Sequence, residues 1–187
     1  MKLSSLFGAA LWTLAASTAL GAPASSLAIS QPDLKGPGKL EVSSPKIPAG
    51  GGVPDAYTSY GQGVSPPLKW SAAPRNTKSF VLVIEDPDAP LPEPFPHWLV
   101  WNIAPPATGL AQGSAPAGAQ QGVLLTGKVG YMGFKPPPGA AHHYHFEVFA
   151  LDRKLDLKSG ADRSALLAAM KGSVLASGEL VALYRKP

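Results

Sequence analysis

Residues 80–90 read FVLVIEDPDAP and decide the architecture. Phe80–Ile84 is apolar without interruption and rich in β-branched residues, which predicts a strand that is buried on both faces. An acidic loop begins where this strand ends, and its two prolines restrict the backbone. We therefore expect the carboxylates of Asp86 and Asp88 to be held in place at the end of a buried strand. An ordinary Asx-type turn is the alternative interpretation.

Further strand patterns lie on both sides of this segment, separated by loops rich in proline and glycine. The predicted strands are Lys39–Ser43, His97–Ile103, Tyr144–Leu151 and Gly178–Tyr184, with a shorter one near Gly122–Leu125. Residues 44–67 are predicted to form a long loop, and 22–30 a short tail. Only 162–175 has a helical pattern, with Asp162 as candidate N-cap. This arrangement predicts a mainly β, antiparallel sandwich with one C-terminal helix.

The composition limits the possible functions. The chain has 187 residues, enough for one domain with a substantial core. It has no cysteine, which excludes disulfides, thiolate catalysis and cysteine-based zinc sites. The net charge of +4 comes from scattered basic residues, so we expect no nucleic-acid partner. No catalytic motif such as Gly-x-Ser-x-Gly, a Walker loop or HExxH occurs, and nothing supplies an activated nucleophile, so we do not expect an enzyme.

The first residues have the pattern of an export signal. Lys2 supplies a positive start, Leu6–Ala16 is an uncharged apolar run, and cleavage after Gly21 or Ala24 fits the small-x-small pattern. A retained membrane anchor is the alternative, but serine and threonine interrupt the run, and a span needs about 20 predominantly apolar residues. We predict a cleaved signal peptide over 1–24, one ligand-binding domain over 25–187, a secreted or periplasmic location and no transmembrane span in the mature chain.

The four histidines are unevenly placed. His97 begins a predicted strand shortly after the acidic loop, and the other three lie in residues 141–146 (AHHYHF). Alternate residues of a strand share a face, so His142 and Tyr144 point one way, and His143 and His145 the other.

Two aspartates, two histidines and a tyrosine could bind zinc, act as acid and base, or hold an anion. An anion needs donors, such as a tyrosine hydroxyl or an imidazole N–H, and a carboxylate can keep the proton on a histidine. Since Asp86 and Asp88 favour a charged imidazole, we expect at least one of His97 and His142 to be charged when an anion is bound.

A second pattern has the spacing of a metal site. His143-x-His145-x-Glu147 would place three potential ligands on one strand face. A polar, solvated face of a half-exposed strand explains the same pattern more simply. We expect no metal and no cofactor.

Ordered motifs run from about Lys39 to Arg185. They are Tyr57-Thr58, Ser65-Pro66-Pro67-Leu68-x-Trp70, Asp86-Pro87-Asp88-Ala89-Pro90, His97-Trp98-x-Val100-x-Asn102-Ile103, Gly130-Tyr131-x-Gly133, Pro136-Pro137, Gly139, His142-x-Tyr144-x-Phe146, Leu151-Asp152 and Glu179-Leu180-Val181. Each is weak alone. As an ordered set they resemble the phosphatidylethanolamine-binding protein (PEBP) family, which includes the Raf kinase inhibitor proteins, and its bacterial branch in particular.

This resemblance implies a two-sheet β-sandwich with a small, pre-formed pocket for phosphate, acetate or phospholipid head groups. Carried over by position, the pocket residues are Asp86, Asp88, His97, Pro136, Pro137, His142 and Tyr144. Phe134 and Lys135 stand where the bacterial pattern usually has Pro-Cys, and we expect them to flank the mouth. The resemblance also implies that His143 and His145 lie off the pocket.

The favoured function is the binding of a small anionic or phosphorylated ligand by an exported protein. An alternative is that the pocket rim inhibits or regulates a protein partner, either a protease or a kinase. A hydrolase that uses His97 or His142 as its base is a weaker alternative.

Overall fold

The computed structural model describes residues 26–186, and its regular structure is dominated by strands. The strands are β1 (Gly38–Lys39), β2 (Val42–Ser43), β3 (Leu68–Trp70), β4 (Ser79–Asp86), β5 (Phe95–Ile103), β6 (Gly109–Leu110), β7 (Gln120–Gln121), β8 (His142–Leu151) and β9 (Val174–Tyr184). The α-helix of these residues, α1, covers Arg163–Met170, and single 3-10 turns cover Ala28–Ser30, Pro32–Leu34 and Asp55–Tyr57. The predicted export signal, residues 1–24, lies outside the described residues.

Two sheets form the sandwich. The larger has the strand order β1-β9-β8-β4-β5-β7, and the smaller has the order β2-β3-β6. Among these strands every pairing is antiparallel except that of β1 with β9. The predicted mainly antiparallel, two-sheet β-sandwich with one helix near the C-terminal end is therefore confirmed.

The larger sheet has a hydrophobic core on each of its faces. Strand β4 is buried along its whole length, as its uninterrupted apolar sequence predicts. Phe80 and Ile84 belong to the core between the two sheets. Val81 and Val83 belong to a second core, under α1 and the N-terminal segment. Because β4 lies between β5 and β8, its C-terminal end is held rigidly from both sides.

The helix begins as predicted and ends earlier. The Asp162 side chain accepts a hydrogen bond from the Ala165 N–H at 2.8 Å, which confirms the predicted N-cap. The helix stops at Met170, and not at Leu175, because the chain turns at Gly172, whose φ of +69° is left-handed. Leu175 lies in β9 instead. In residues 26–186 no helix has the length and apolar character to cross a membrane.

Two short strands were misplaced by the sequence patterns. Residues 39–43 do not form one strand, because the chain crosses between the sheets there, so β1 pairs with β9 and β2 with β3. Near Gly122–Leu125 the regular pairing falls earlier, at β7, and Val123 makes only an isolated bridge to Val129.

The described part of the predicted tail is docked on the outer face of the larger sheet. Ala28 is fully buried, and its N–H donates to Glu85 Oε1 at 2.7 Å. The Ile29 N–H donates to Glu147 Oε2 at 2.9 Å. The prediction that this segment is a simple tail is therefore wrong from residue 28 onward, because buried carboxylates provide partners for its backbone.

Candidate ligand-binding site

A cavity of about 310 Å³ lies where β4 ends and where β5 and β8 begin. Because these strands pair in antiparallel fashion, the C-terminal end of β4 lies beside the N-terminal ends of β5 and β8. The lining residues are Asp86, Ala89, Pro90, Leu91, Phe95, His97, Met132, Lys135, Pro136, Pro137, His142 and Tyr144. Six of the seven residues that the sequence predicts for the pocket are among them, and Asp88 is not.

Asp86 and His142 form a buried pair on one wall of the cavity. His142 Nδ1 donates to Asp86 Oδ2 at 2.8 Å, which leaves Nε2 as the free nitrogen of this ring. The other oxygen, Asp86 Oδ1, accepts from the Asp88 N–H at 2.8 Å, so the turn after β4 is also an Asx turn. Burial raises the pKa of the Asp86 carboxyl above its usual value, and the hydrogen bond from His142 offsets only part of this rise.

A β-bulge turns His97 toward the cavity. The register of β4 against β5 shifts between the pairs Ile84–Trp98 and Glu85–Pro96, and His97 is the residue without a partner in β4. Without this bulge, His97 and Trp98 would point to opposite faces. With it, the His97 ring packs at 5.4 Å from the Tyr144 ring.

His97 is held in its neutral form. Its Nδ1 donates to the Met132 carbonyl at 3.0 Å, because a carbonyl can only accept. Burial lowers the pKa of His97 to about 4, although this hydrogen bond acts in the opposite direction. At neutral pH the other nitrogen, Nε2, is therefore an acceptor.

Tyr144 brings a hydroxyl to the cavity from β8. This side chain is fully buried, and its hydroxyl has no hydrogen-bond partner within residues 26–186. Burial, with the nearby charge of Asp86 as a smaller cause, raises the pKa of Tyr144, so the hydroxyl keeps its proton. It is therefore a donor that the protein itself does not use.

Phe134 packs against two residues that line the cavity, Tyr144 and His97. Its ring stacks on Tyr144 with centroids 3.9 Å apart and lies edge-on to His97 at 5.0 Å. Because Phe134 is fully buried, the expectation that it flanks the mouth is wrong. Lys135, the next residue, does line the cavity and is exposed.

Two backbone contacts anchor the wall that includes Phe134. The Ser59 N–H donates to the Phe134 carbonyl at 2.9 Å, and Thr58 forms a parallel bridge with the same residue. A Cβ on Gly133 would lie 2.7 Å from the Ser59 nitrogen, so only glycine permits this close approach. These contacts give a structural reason for the motifs Tyr57-Thr58 and Gly130-Tyr131-x-Gly133.

Asp88 faces away from the cavity. Its Oδ2 accepts from the N–H and from Nδ1 of His143, at 2.6 and 2.7 Å. Burial alone would raise the pKa of Asp88, but the hydrogen bonds from His143 lower it below its usual value. The two aspartates of this turn therefore bind different histidines: Asp86 binds His142, and Asp88 binds His143. Asp88 holds the start of β8 in place and does not line the pocket.

A larger cavity, of about 400 Å³, lies beside the first, and Leu91 lines both. Its charged side chains already have partners within the described residues. Asp162 caps α1, and the Arg163 guanidinium donates to both carboxylate oxygens of Glu85. The smaller cavity is therefore the candidate site.

Sequence reasoning missed several members of this site. Leu91 in the middle of the connection between β4 and β5, and Phe95 at the start of β5, both line the cavity, and no local pattern distinguishes them. The Met132 carbonyl fixes the tautomer of His97, and a backbone group leaves no trace in the sequence.

Comparisons with known proteins identify the family of the chain. A family model described as phosphatidylethanolamine-binding protein matches residues 43–185. A UPF0098 protein from Methanothermobacter thermautotrophicus is 43% identical over 141 residues, which cover 73% of this chain and 92% of the relative.

Two solved structures are also similar. A PEBP homologue from Chlamydia trachomatis is 37% identical with a TM-score of 0.74, and Escherichia coli YbcL, described as a member of the mammalian PEBP family, is 31% identical with a TM-score of 0.75. Each match covers 80% of this chain and 99% of the other. The two-sheet sandwich and its cavity define a β-sandwich ligand-binding protein. The chain belongs to the phosphatidylethanolamine-binding protein family.

Proposed function

We propose that this protein is an exported binder of small phosphorylated ligands, and that its cavity takes a phosphate or a phospholipid head group. The observation that carries the proposal is the arrangement of donors and acceptors in one buried site. The unpartnered Tyr144 hydroxyl offers a donor, and the Nε2 nitrogen of His142 can offer a second one. Both would bind phosphate oxygens, and Lys135 at the cavity wall adds positive charge.

The same cavity offers acceptors. Neutral His97 presents Nε2, and the carboxylate of Asp86 also lines the cavity. A ligand that satisfies these groups must bring its own N–H or O–H donors. A phosphoethanolamine head group has both a phosphate and an ammonium group, so it complements the whole set. A phosphate that retains one hydroxyl has only that donor, so it complements the donors of the cavity and only some of its acceptors.

The key experiment is calorimetric titration with glycerophosphoethanolamine, whose phosphodiester charge is fixed. We expect His142→Ala to remove a charge-assisted hydrogen bond worth about 1.5–3 kcal/mol, which weakens binding roughly ten- to a hundredfold. His143→Ala is the matched control, since its ring is exposed and bonded to Asp88. Equal losses in both variants would contradict the proposal.

Two further ligands identify the source of the phosphate. Glycerophosphocholine has the same phosphodiester but no N–H donor, so it should bind more weakly than glycerophosphoethanolamine if His97 and Asp86 accept from the ammonium group. Inorganic phosphate that binds as tightly as glycerophosphoethanolamine would point to free phosphate instead. If none of the three binds, the proposal fails.

We also propose that the protein binds its ligand without chemical change. The residues that line the cavity include no serine, threonine or cysteine to act as a nucleophile beside His97 or His142. Hydrolysis of glycerophosphoethanolamine during the titration, detected as released ethanolamine, would contradict this part.

A further inference from the structure

A second cluster of ionisable side chains lies on the opposite face of the larger sheet. His145 and Glu147 are alternate residues of β8, and Glu179 is the partner of Glu147 in β9. One potential ligand atom from each of the three lies within 4.8 Å of the others. His145 Nδ1 and Glu179 Oε2 are 2.8 Å apart. The pattern His143-x-His145-x-Glu147 in the sequence therefore loses its first residue, which binds Asp88, and gains Glu179.

Glu147 gives independent evidence that the cluster is incomplete. It is fully buried, and Oε2 accepts only the Ile29 N–H. Its other oxygen, Oε1, has no hydrogen-bond partner within residues 26–186. A buried carboxylate oxygen without a partner is costly, so such an atom points to a missing ligand or a bound proton.

The charges around Glu147 are unbalanced. Glu85 lies nearby, but Arg163 donates to both of its oxygens. Glu147 and Glu179 both lie close to His145. A cation would remove this imbalance.

We propose that His145, Glu147 and Glu179 bind a divalent transition metal, with Zn²⁺ as the best fit. One imidazole and two carboxylates form a ligand set that Zn²⁺ commonly takes, whereas Mg²⁺ and Ca²⁺ prefer oxygen ligands alone. Glu179 is exposed, so solvent can supply a fourth ligand. A metal here would join β8 to β9 beneath the docked segment at Ile29. This site is separate from the proposed ligand cavity and does not depend on it.

The test uses untagged protein freed of metal with a chelator and then titrated with Zn²⁺ by calorimetry. We expect one Zn²⁺ per chain, and a matching titration with Co²⁺ should give the visible absorption of a low-coordinate site. His145→Ala and Glu179→Gln should each weaken binding at least tenfold, since even the loss of an indirect partner weakens metal sites tenfold or more. Both residues are partly or largely exposed, so these variants should fold.

His143→Ala is the control, and it should bind Zn²⁺ like the unaltered protein. Zn²⁺ should also raise the melting temperature of the unaltered protein and of His143→Ala, and not that of Glu179→Gln. If Zn²⁺ does not bind, Glu147 holds a proton instead and the proposal is wrong. It is equally wrong if His143→Ala weakens binding as much as His145→Ala does.

Discussion

The effect of the Tyr144 hydroxyl on stability can be measured separately from its effect on ligand binding. This side chain lies on the core face of β8, where a hydroxyl without a partner destabilises the ligand-free protein. We expect Tyr144→Phe to leave the free energy of unfolding unchanged or to raise it by about 1 kcal/mol, as measured by urea denaturation without ligand. The same change should weaken glycerophosphoethanolamine binding by roughly five- to tenfold. A variant that is less stable and binds normally would show that the hydroxyl has a structural partner.

Single residues also mark the limit of sequence reasoning at this site. The faces of His142 and Tyr144 follow from simple alternation along β8, because that strand is regular up to Ala150. His97 does not follow from alternation, since its direction depends on a bulge whose cause lies in the pairing with β4. The family resemblance places Asp88 in the pocket, but the turn directs its side chain to His143.

Among the elements, the end of β5 shows how one side chain can organise a connection. Asn102 has a left-handed φ of 59° where the register of β4 against β5 shifts again. Its Nδ2 donates to the Leu155 carbonyl at 2.9 Å, and its Oδ1 accepts from the Leu155 N–H at 2.8 Å. Asparagine tolerates this backbone conformation better than most residues. The amide therefore holds the segment after β8 against the end of β5.

We expect Asn102→Ala to destabilise the protein by about 2–4 kcal/mol, because it removes both hydrogen bonds and places alanine in a left-handed conformation. Asn102→Gly loses the same bonds without the steric cost of a Cβ, so it should be roughly 1 kcal/mol more stable than the alanine variant. Chemical denaturation of the three proteins provides the comparison. If the free energies of unfolding of both variants lie within about 0.5 kcal/mol of that of the unaltered protein, the Asn102 hydrogen bonds to Leu155 do not contribute to stability.

The long elements could be predicted from the sequence, and the short ones could not. Strand β4 and the start of α1 rest on strong local signals, an unbroken apolar run and an aspartate cap. Strands of two or three residues, such as β3 and β6, carry too little pattern to be recognised, and they form because the rest of the sandwich presents partners. The Lys39–Ser43 segment changes sheets partway along, and no local pattern encodes such a crossing.

At the scale of the whole molecule, the open question is where the mature chain begins. We predict that protein from the exported fraction lacks the first 21 to 24 residues, because Lys2 and the Leu6–Ala16 run have the pattern of a signal peptide. Either cleavage position retains Ser26, whose carbonyl accepts from Arg163 at 3.0 Å. The mature protein should therefore unfold at the same temperature as a chain expressed from residue 25. Intact mass spectrometry checks the boundary, and Met1 in exported material would refute it.

The strand order of the larger sheet has a consequence for how the chain folds during synthesis. Strand β9 is the last of the described strands to be made, yet it lies between β1 and β8. Until residues 174–184 leave the ribosome, β1 has no neighbour and one side of β8 remains an unpaired edge. Contacts between such distant parts of a chain form slowly, and an open edge is a surface that chaperones recognise or that leads to aggregation. The larger sheet of the nascent protein therefore stays incomplete until residues 174–184 have been made, whatever its earlier strands have already formed.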